Sequence, residues 1–404
     1  MLLPLLALLH ADLSFTITLD AGKADRRDEI VRVPLVLPKS VRPSATLQRD
    51  GKDVPLALLR PGLLADKAPE GKEVREAWFV LDSLDAGKTL TLKLTVSVGK
   101  PGIHSRGLRW KEGEGTRTLV NARGDEETSV LRYEMPKLDE SSPLARENSF
   151  KVFHQVFDDG KMITKGPGGK FTHHRGLFYG FMKASYDKHT VDIWHCKGQT
   201  HQAHRELLDE SPTNPVVGRH RVAIDWNGVG GKTFASEERE LSAVPLPGGT
   251  LIEFTSRLTP KDGDLKLDGD PQHAGFHFRA SNEVAAKTEK ETYFVRPSGV
   301  GEKGEETNWP ANKKHVDLPW LGMSFVVAGQ RYTVGYIDHP SNPKEARFSE
   351  RAYGRFGSYF VTTVKKEEPL VVRYRVWVQK GEMKPEALAA LAAAFVAPVK
   401  VTVK

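Results

Sequence analysis

Features that mark many protein classes at a glance are scarce in this sequence. Cys196 is the only cysteine, so no intrachain disulfide can hold the fold and burial must do so. No run of about 20 apolar residues occurs, which excludes a transmembrane helix and predicts no stable membrane insertion. The formal charge of +7 comes from 59 Lys and Arg spread among 52 Asp and Glu, with no basic stripe interleaved with aromatics. Nucleic acid is therefore not an expected partner. Internal repeats and low-complexity tracts are absent, as are H-E-x-x-H and paired-cysteine metal motifs.

What is present reads as an ordinary globular chain, 39% hydrophobic and 27% charged. Its 404 residues exceed what one core usually serves, which predicts a small domain and a large one. The opening "MLLPLLALLHA" (1–11) is a short apolar run ending in small residues, like the hydrophobic part of a signal peptide. It predicts export, hence a secreted or periplasmic protein.

The runs "FTITL" (15–19), "EIVRVPLVL" (29–37), "AWFVL" (77–81) and "TLTLKLTVSV" (89–98) alternate with a period of two, as half-buried strands do. They predict an immunoglobulin-like sandwich over 12–100, followed by a linker at 99–107. From 107 to 404 the strands resume: "PLPGGTLIEFTSRLTPKDGD" (245–264) is a strand between turn signals, and "PLVVRYRVWVQ" (369–379) is one long strand. Only "KPEALAALAAAFVAP" (384–398) has helical composition, predicting a terminal helix over 384–396. The expected class is all-β.

Histidine is the anomaly, with eight of 14 falling between His154 and His220. Imidazole serves both as metal ligand and as proton carrier. If "FTHHRG" (171–176) is a strand, His173 and His174 point to opposite faces and cannot share an ion, while Arg175 shares the face of His173. His201 and His204, three apart, converge only on a helical turn. The spacing therefore favours proton transfer, and no metal ligands are assigned. In "DIWHCKGQ" (192–199), Trp194 offers a face for a sugar ring while His195 or Gln199 bonds its hydroxyls. Further on, "DHPSNP" (338–343) cannot continue a strand through two prolines, so Asp338, His339 and Asn342 stand on a structured loop, with Arg351 following.

"KMITKGPGGKFTHHRGLFYGF", "DIWHCKGQTHQAH", "SEERELSAV" and "YIDHPSNP…RAYGRFG" occur in the order of the signature segments of the PmoA-like family, which this chain resembles over roughly 150–385. The family's "methane oxygenase" label requires several membrane helices, and that activity is rejected. The resemblance implies a galactose-mutarotase-like β-supersandwich and a carbohydrate ligand, with His173, His174, Arg175, Trp194, His204, Asp338, His339, Asn342 and Arg351 in one cleft. Two departures, "GKFT" before the double histidine and "RFSE" after "SNP", count against a metal site. The expected protein acts on a sugar or glycoside, as hydrolase, lyase or epimerase. His173 or His174 moves the proton, Glu238 or Asp338 with His339 supplies the carboxylate–imidazole partner, and Arg175 and Arg351 orient the ligand. The sequence names no cofactor. The alternatives are a non-catalytic carbohydrate-binding or scaffold protein and a metal-dependent enzyme.

Overall fold

A computed structural model describes residues 12–39, 43–98 and 106–404. Residues 1–11, where a signal peptide is expected, and most of the expected linker lie outside the described residues. The chain is all-β, a small immunoglobulin-like sandwich followed by a large β-supersandwich with a C-terminal helix. Among the described residues no helix is long and apolar enough to cross a membrane.

The chain divides into two compact units, one of Met1–Arg106, Thr213–Val216 and Pro398–Lys404, the other of Gly107–Pro212 and Val217–Ala397. The smaller unit packs a five-stranded sheet against a three-stranded one. Alternation drives it: in strand Arg26–Pro38, Val31, Val33, Leu35 and Leu37 are buried, while Arg32, Pro34 and Val36 face outward. The inward row meets Ile17, Leu19, Leu92, Leu94 and Val96 in one core. A boundary at 107 with everything beyond it in the large domain is incomplete. The last strand, Lys400–Val403, pairs with Leu13–Asp20 as an edge of the small unit's sheet.

In the larger unit two broad antiparallel sheets share a core, seen in the ring contacts of Phe254 with Phe276 at 4.3 Å and of Phe276 with Tyr374 at 4.8 Å. The helix Pro385–Val396 caps one sheet by burying Leu388, Ala392 and Phe395. Gly322 and Gly335 stand opposite each other on paired strands, and Leu388 occupies the dent their missing side chains leave.

Three neighbouring strands, Leu177–Phe181, Ala274–Arg279 and Arg355–Tyr359, carry the loops that matter for function. Leu177, Tyr179, Phe181, Phe276 and Phe278 point into the main core. On the alternate face Phe178 packs with Phe153 and Trp194 into a separate cluster, and over this base the histidine-bearing loops fold.

Candidate functional site

"FTHHRG" is a turn leading into strand Leu177–Phe181, so the strand geometry expected for it does not apply. Phe171 opens the turn at φ 55°, a left-handed conformation costly for an aromatic residue, and Cys196, just after His195, sits at φ 54°. Gly176 ends the turn, and a Cβ there would collide with the His154 carbonyl of the adjoining strand. The turn brings His173 and His174 into edge contact at 4.3 Å between ring centroids.

Around His173 gather His195, at 4.5 Å, and His273, at 5.5 Å, while His195 and His273 are 4.6 Å apart. These three are partly exposed and offer ligand nitrogens all within 4.8 Å of one another. That separation suits three donors on one transition-metal ion after small rotations, because ligand nitrogens about 2 Å from zinc stand about 3.3 Å apart. The sequence assigned no metal donors, yet three imidazoles converge here between loops, which local spacing cannot reveal.

Two of the three rings are fixed by carboxylates. His195 Nδ1 meets Asp192 Oδ2 at 2.8 Å, and His273 Nδ1 lies 3.0 Å from both oxygens of Asp270. Both pairs are built alike. "DIWH" and "DPQH" each open a tight turn with an aspartate whose Oδ1 also accepts a backbone N–H, from His195 in one and Gln272 in the other, both at 2.7 Å. A carboxylate on Nδ1 holds the proton there and leaves the Nε2 lone pair free, the arrangement typical of metal-bound imidazole. Desolvation would raise both aspartates, but hydrogen bonds from the histidine turns prevail, lowering Asp192 and bringing Asp270 to about 2.

His173 has no carboxylate, and its buried Nε2 makes no hydrogen bond. Burial, then the positive field of Lys151 and the other two imidazoles, pushes its pKa to about 2. His174 is deeper, both its nitrogens lack partners, and burial followed by the His173 and Arg355 charges holds it well below its ordinary value. Two imidazoles neutral throughout the physiological range are poor proton carriers and available electron-pair donors. At the rim, Phe171, 43% exposed, packs on Tyr353 at 4.4 Å, and His174 stacks beside both.

Other expected residues have different duties. Arg175 is buried and donates to the carbonyls of Thr172, His174 and Glu147, pinning the turn instead of orienting a ligand. Trp194 is a packing residue, edge-on to Phe178 at 5.2 Å and His277 at 4.8 Å, with no face open to a sugar. Gln199 is exposed in the turn that follows. His204 lies on strand His201–Glu210 against Tyr133, beside the buried pair His154 and His220, whose Nε2 atoms meet at 2.9 Å. Much of the histidine excess is therefore core packing. Glu238 forms a half-exposed ion pair with Arg257 at 3.7 Å.

The proline loop forms its own group. Asp338 accepts from Asn342 Nδ2 at 2.8 Å and Ser358 Oγ at 2.7 Å, and Asn342 also bonds both backbone polar groups of Arg373, so the pair caps the loop. His339 meets Arg373 Nη1 at 3.1 Å and Phe395, and Arg351 pairs with Glu306 at 3.0 Å. Asp338 and Lys344 border a pocket of about 590 Å³ against the terminal helix. Of the expected set, His173, His174 and His195 come together. His273, Asp192 and Asp270 were missed, although the repeated D-x-x-H was a readable signal.

Similar solved structures include a protein in glycosyl hydrolase family 38 from Enterococcus faecalis, at TM-score 0.43 and 9% identity, covering 97% of this chain and 47% of that one. The chain thus spans about half that protein's length. No curated protein matches. A family model matches residues 122–393, more than half of the chain and every loop of the histidine centre, and the chain therefore belongs to DUF6807, a family of unknown function.

Proposed function

We propose that this protein is a metal-dependent enzyme acting on a sugar or glycoside, with His173, His195 and His273 holding a divalent transition metal. The observation that carries the reading is the convergence of three imidazoles, two of them held by Asp192 and Asp270 in the tautomer that ligates. Three nitrogen ligands leave coordination positions for water and substrate, the pattern of catalytic rather than structural zinc sites. Held by His173, His195 and His273, such an ion would supply Lewis acidity, lowering the pKa of a bound water or polarising a carbonyl or hydroxyl of the substrate. Imidazole donors suit zinc, iron, nickel or copper.

The sugar is supported by the PmoA-like resemblance and by the aromatic rim of Phe171 and Tyr353, which offers apolar surface to a ring. Metal dependence replaces the imidazole–carboxylate proton relay expected from sequence, because Glu238 and Asp338 are occupied elsewhere. The test is turnover screening of the full chain against glycosides, keto-sugars and free aldoses with Zn²⁺, Co²⁺, Fe²⁺ or chelator. Activity that requires added metal and disappears in His195→Ala supports the proposal. Activity unchanged by chelator contradicts it.

A further inference from the structure

Five buried basic side chains surround the histidine centre: Lys151, Lys165, Arg175, Arg279 and Arg355, each at most 2% exposed. None forms an ion pair among the described residues. Elsewhere in the same unit buried arginines have carboxylates. Arg219 meets Asp209 at 2.9 Å, Arg239 meets Glu237 at 2.7 Å and Arg375 meets Glu253 at 2.6 Å. The rule that buried charge is paired is therefore kept in the sheets and broken around the histidines.

The five cations rest on neutral acceptors of the site loops. Lys151 donates to the carbonyls of His173 and Trp194, tying two histidine-bearing turns together. Lys165 holds Gly166 and Gly168, and Arg279 holds the carbonyl of Tyr353. Arg355 donates to His277 Nδ1 at 2.9 Å and to the carbonyl of Pro271, at the base of the His273 turn. Carbonyls occupy some of the donors but bring no full negative charge. Burial brings Lys151 and Lys165 to about 7, so they are only partly charged at neutral pH, while Arg175 and Arg279, at about 10, keep their charge and an anion would draw the two lysines to the protonated form. Several polar atoms point to a missing partner: Arg279 Nε and Nη2, His174 Nδ1 and Nε2, and His277 Nε2 are buried and unbonded.

Charge bookkeeping then has a direction. Asp192 and Asp270 would offset a divalent ion held in the histidine centre, and among the described residues the more distant carboxylates, such as Glu147 near Arg175 and Lys165, form no ion pair with the five basic side chains. We propose that the ligand of this site is an anion, a substrate whose carboxylate or phosphate lies over the cationic loops while its hydroxyl or carbonyl oxygen reaches the metal. For a sugar substrate this means a sugar acid or sugar phosphate in preference to a neutral sugar. The proposal rests on the histidine cluster being the reaction centre.

Three probes that share a ring size and differ in charge decide it: D-glucuronate, D-glucose 6-phosphate and D-glucose. Binding to the full chain is measured by calorimetry with and without one equivalent of Co²⁺, in low and high NaCl. The expected result is that at least one anion binds about tenfold or more tighter than glucose and that its affinity falls as NaCl rises. Which anion does so separates carboxylate from phosphate. The Lys165→Met variant should narrow the ratio, and the comparison on the unaltered chain stands whether or not that variant folds. Glucose bound as tightly as both anions, or no binding of either anion at millimolar concentration, overturns the proposal. Titration with Co²⁺ alone in the same buffers reports the metal centre separately, so either idea can fail without the other.

Discussion

Replacing Asp192 by Asn changes one atom and tests the logic of the metal centre. Asp192 Oδ1 accepts the His195 backbone N–H at 2.7 Å, and Asn can keep that bond. The change falls on Oδ2, 2.8 Å from His195 Nδ1. An amide NH₂ there donates to Nδ1, which moves the ring proton to Nε2 and blocks the lone pair that would ligate. Loss of such an outer carboxylate typically costs 10–100-fold in metal affinity, or about 1.4–2.7 kcal/mol. The Asp192 side chain is 14% exposed, so the upper part of that range applies. Asp270, 40% exposed, is better screened by water, and Asp270→Asn should fall near the lower end. Affinities for Zn²⁺ or Co²⁺ follow from competition with a chromophoric chelator at pH 7.5, with circular dichroism confirming the fold. Both variants binding within twofold of the parent, or Asp270→Asn being the more damaging, would refute the tautomer argument.

Burial raises Asp338 to about 6, so the folded protein keeps a proton that the unfolded chain releases near 4. The associated stability is complete below about pH 4 and is lost as pH rises through 6, to the extent of about 3 kcal/mol. The buried histidines, lowered far below their ordinary range, make total stability rise over pH 4 to 7.5. The Asp338 contribution is therefore read as the difference between parent and Asp338→Asn in urea unfolding, which should shift against the parent by that amount across the range, and a difference constant with pH would exclude it. Arg239→Met strands Glu237, whose other partner is Trp226 Nε1 at 2.9 Å, and should destabilise by about 3–5 kcal/mol in the same assay. Gly176→Ala forces a methyl against the His154 carbonyl and should cost about 1–3 kcal/mol while weakening metal binding through the His173 turn. A variant with parental stability and metal affinity would show that this turn tolerates the shift.

Local periodicity carried most of the fold. "TLTLKLTVSV" coincides with strand Thr89–Val98, "PLVVRYRVWVQ" matches Leu370–Lys380 within a residue, and the helix begins at Pro385 as its composition implies. Pairing over long sequence separation was hidden, as when Lys400–Val403 returns to Leu13–Asp20. The site divides the same way. His173, His174 and His195 stood out by type, but His273, in "DPQH" nearly 80 residues beyond His195, carries no metal motif of its own. Its place depends on strand Ala274–Arg279 pairing with Leu177–Phe181. Arg175 and Trp194 misled because side chains suited to gripping a ligand are equally suited to gripping backbone and core, and burial alone distinguishes the two uses.

The most direct measurement is a Co²⁺ titration of the full chain followed by visible absorption, beside His273→Ala. One equivalent bound, with the intense bands of a low-symmetry nitrogen-rich site, and loss of that signal in a folded His273→Ala protein, is the result these histidines predict. No Co²⁺ bound at micromolar to millimolar concentration, or a spectrum unchanged without His273, contradicts a metal centre formed by His173, His195 and His273.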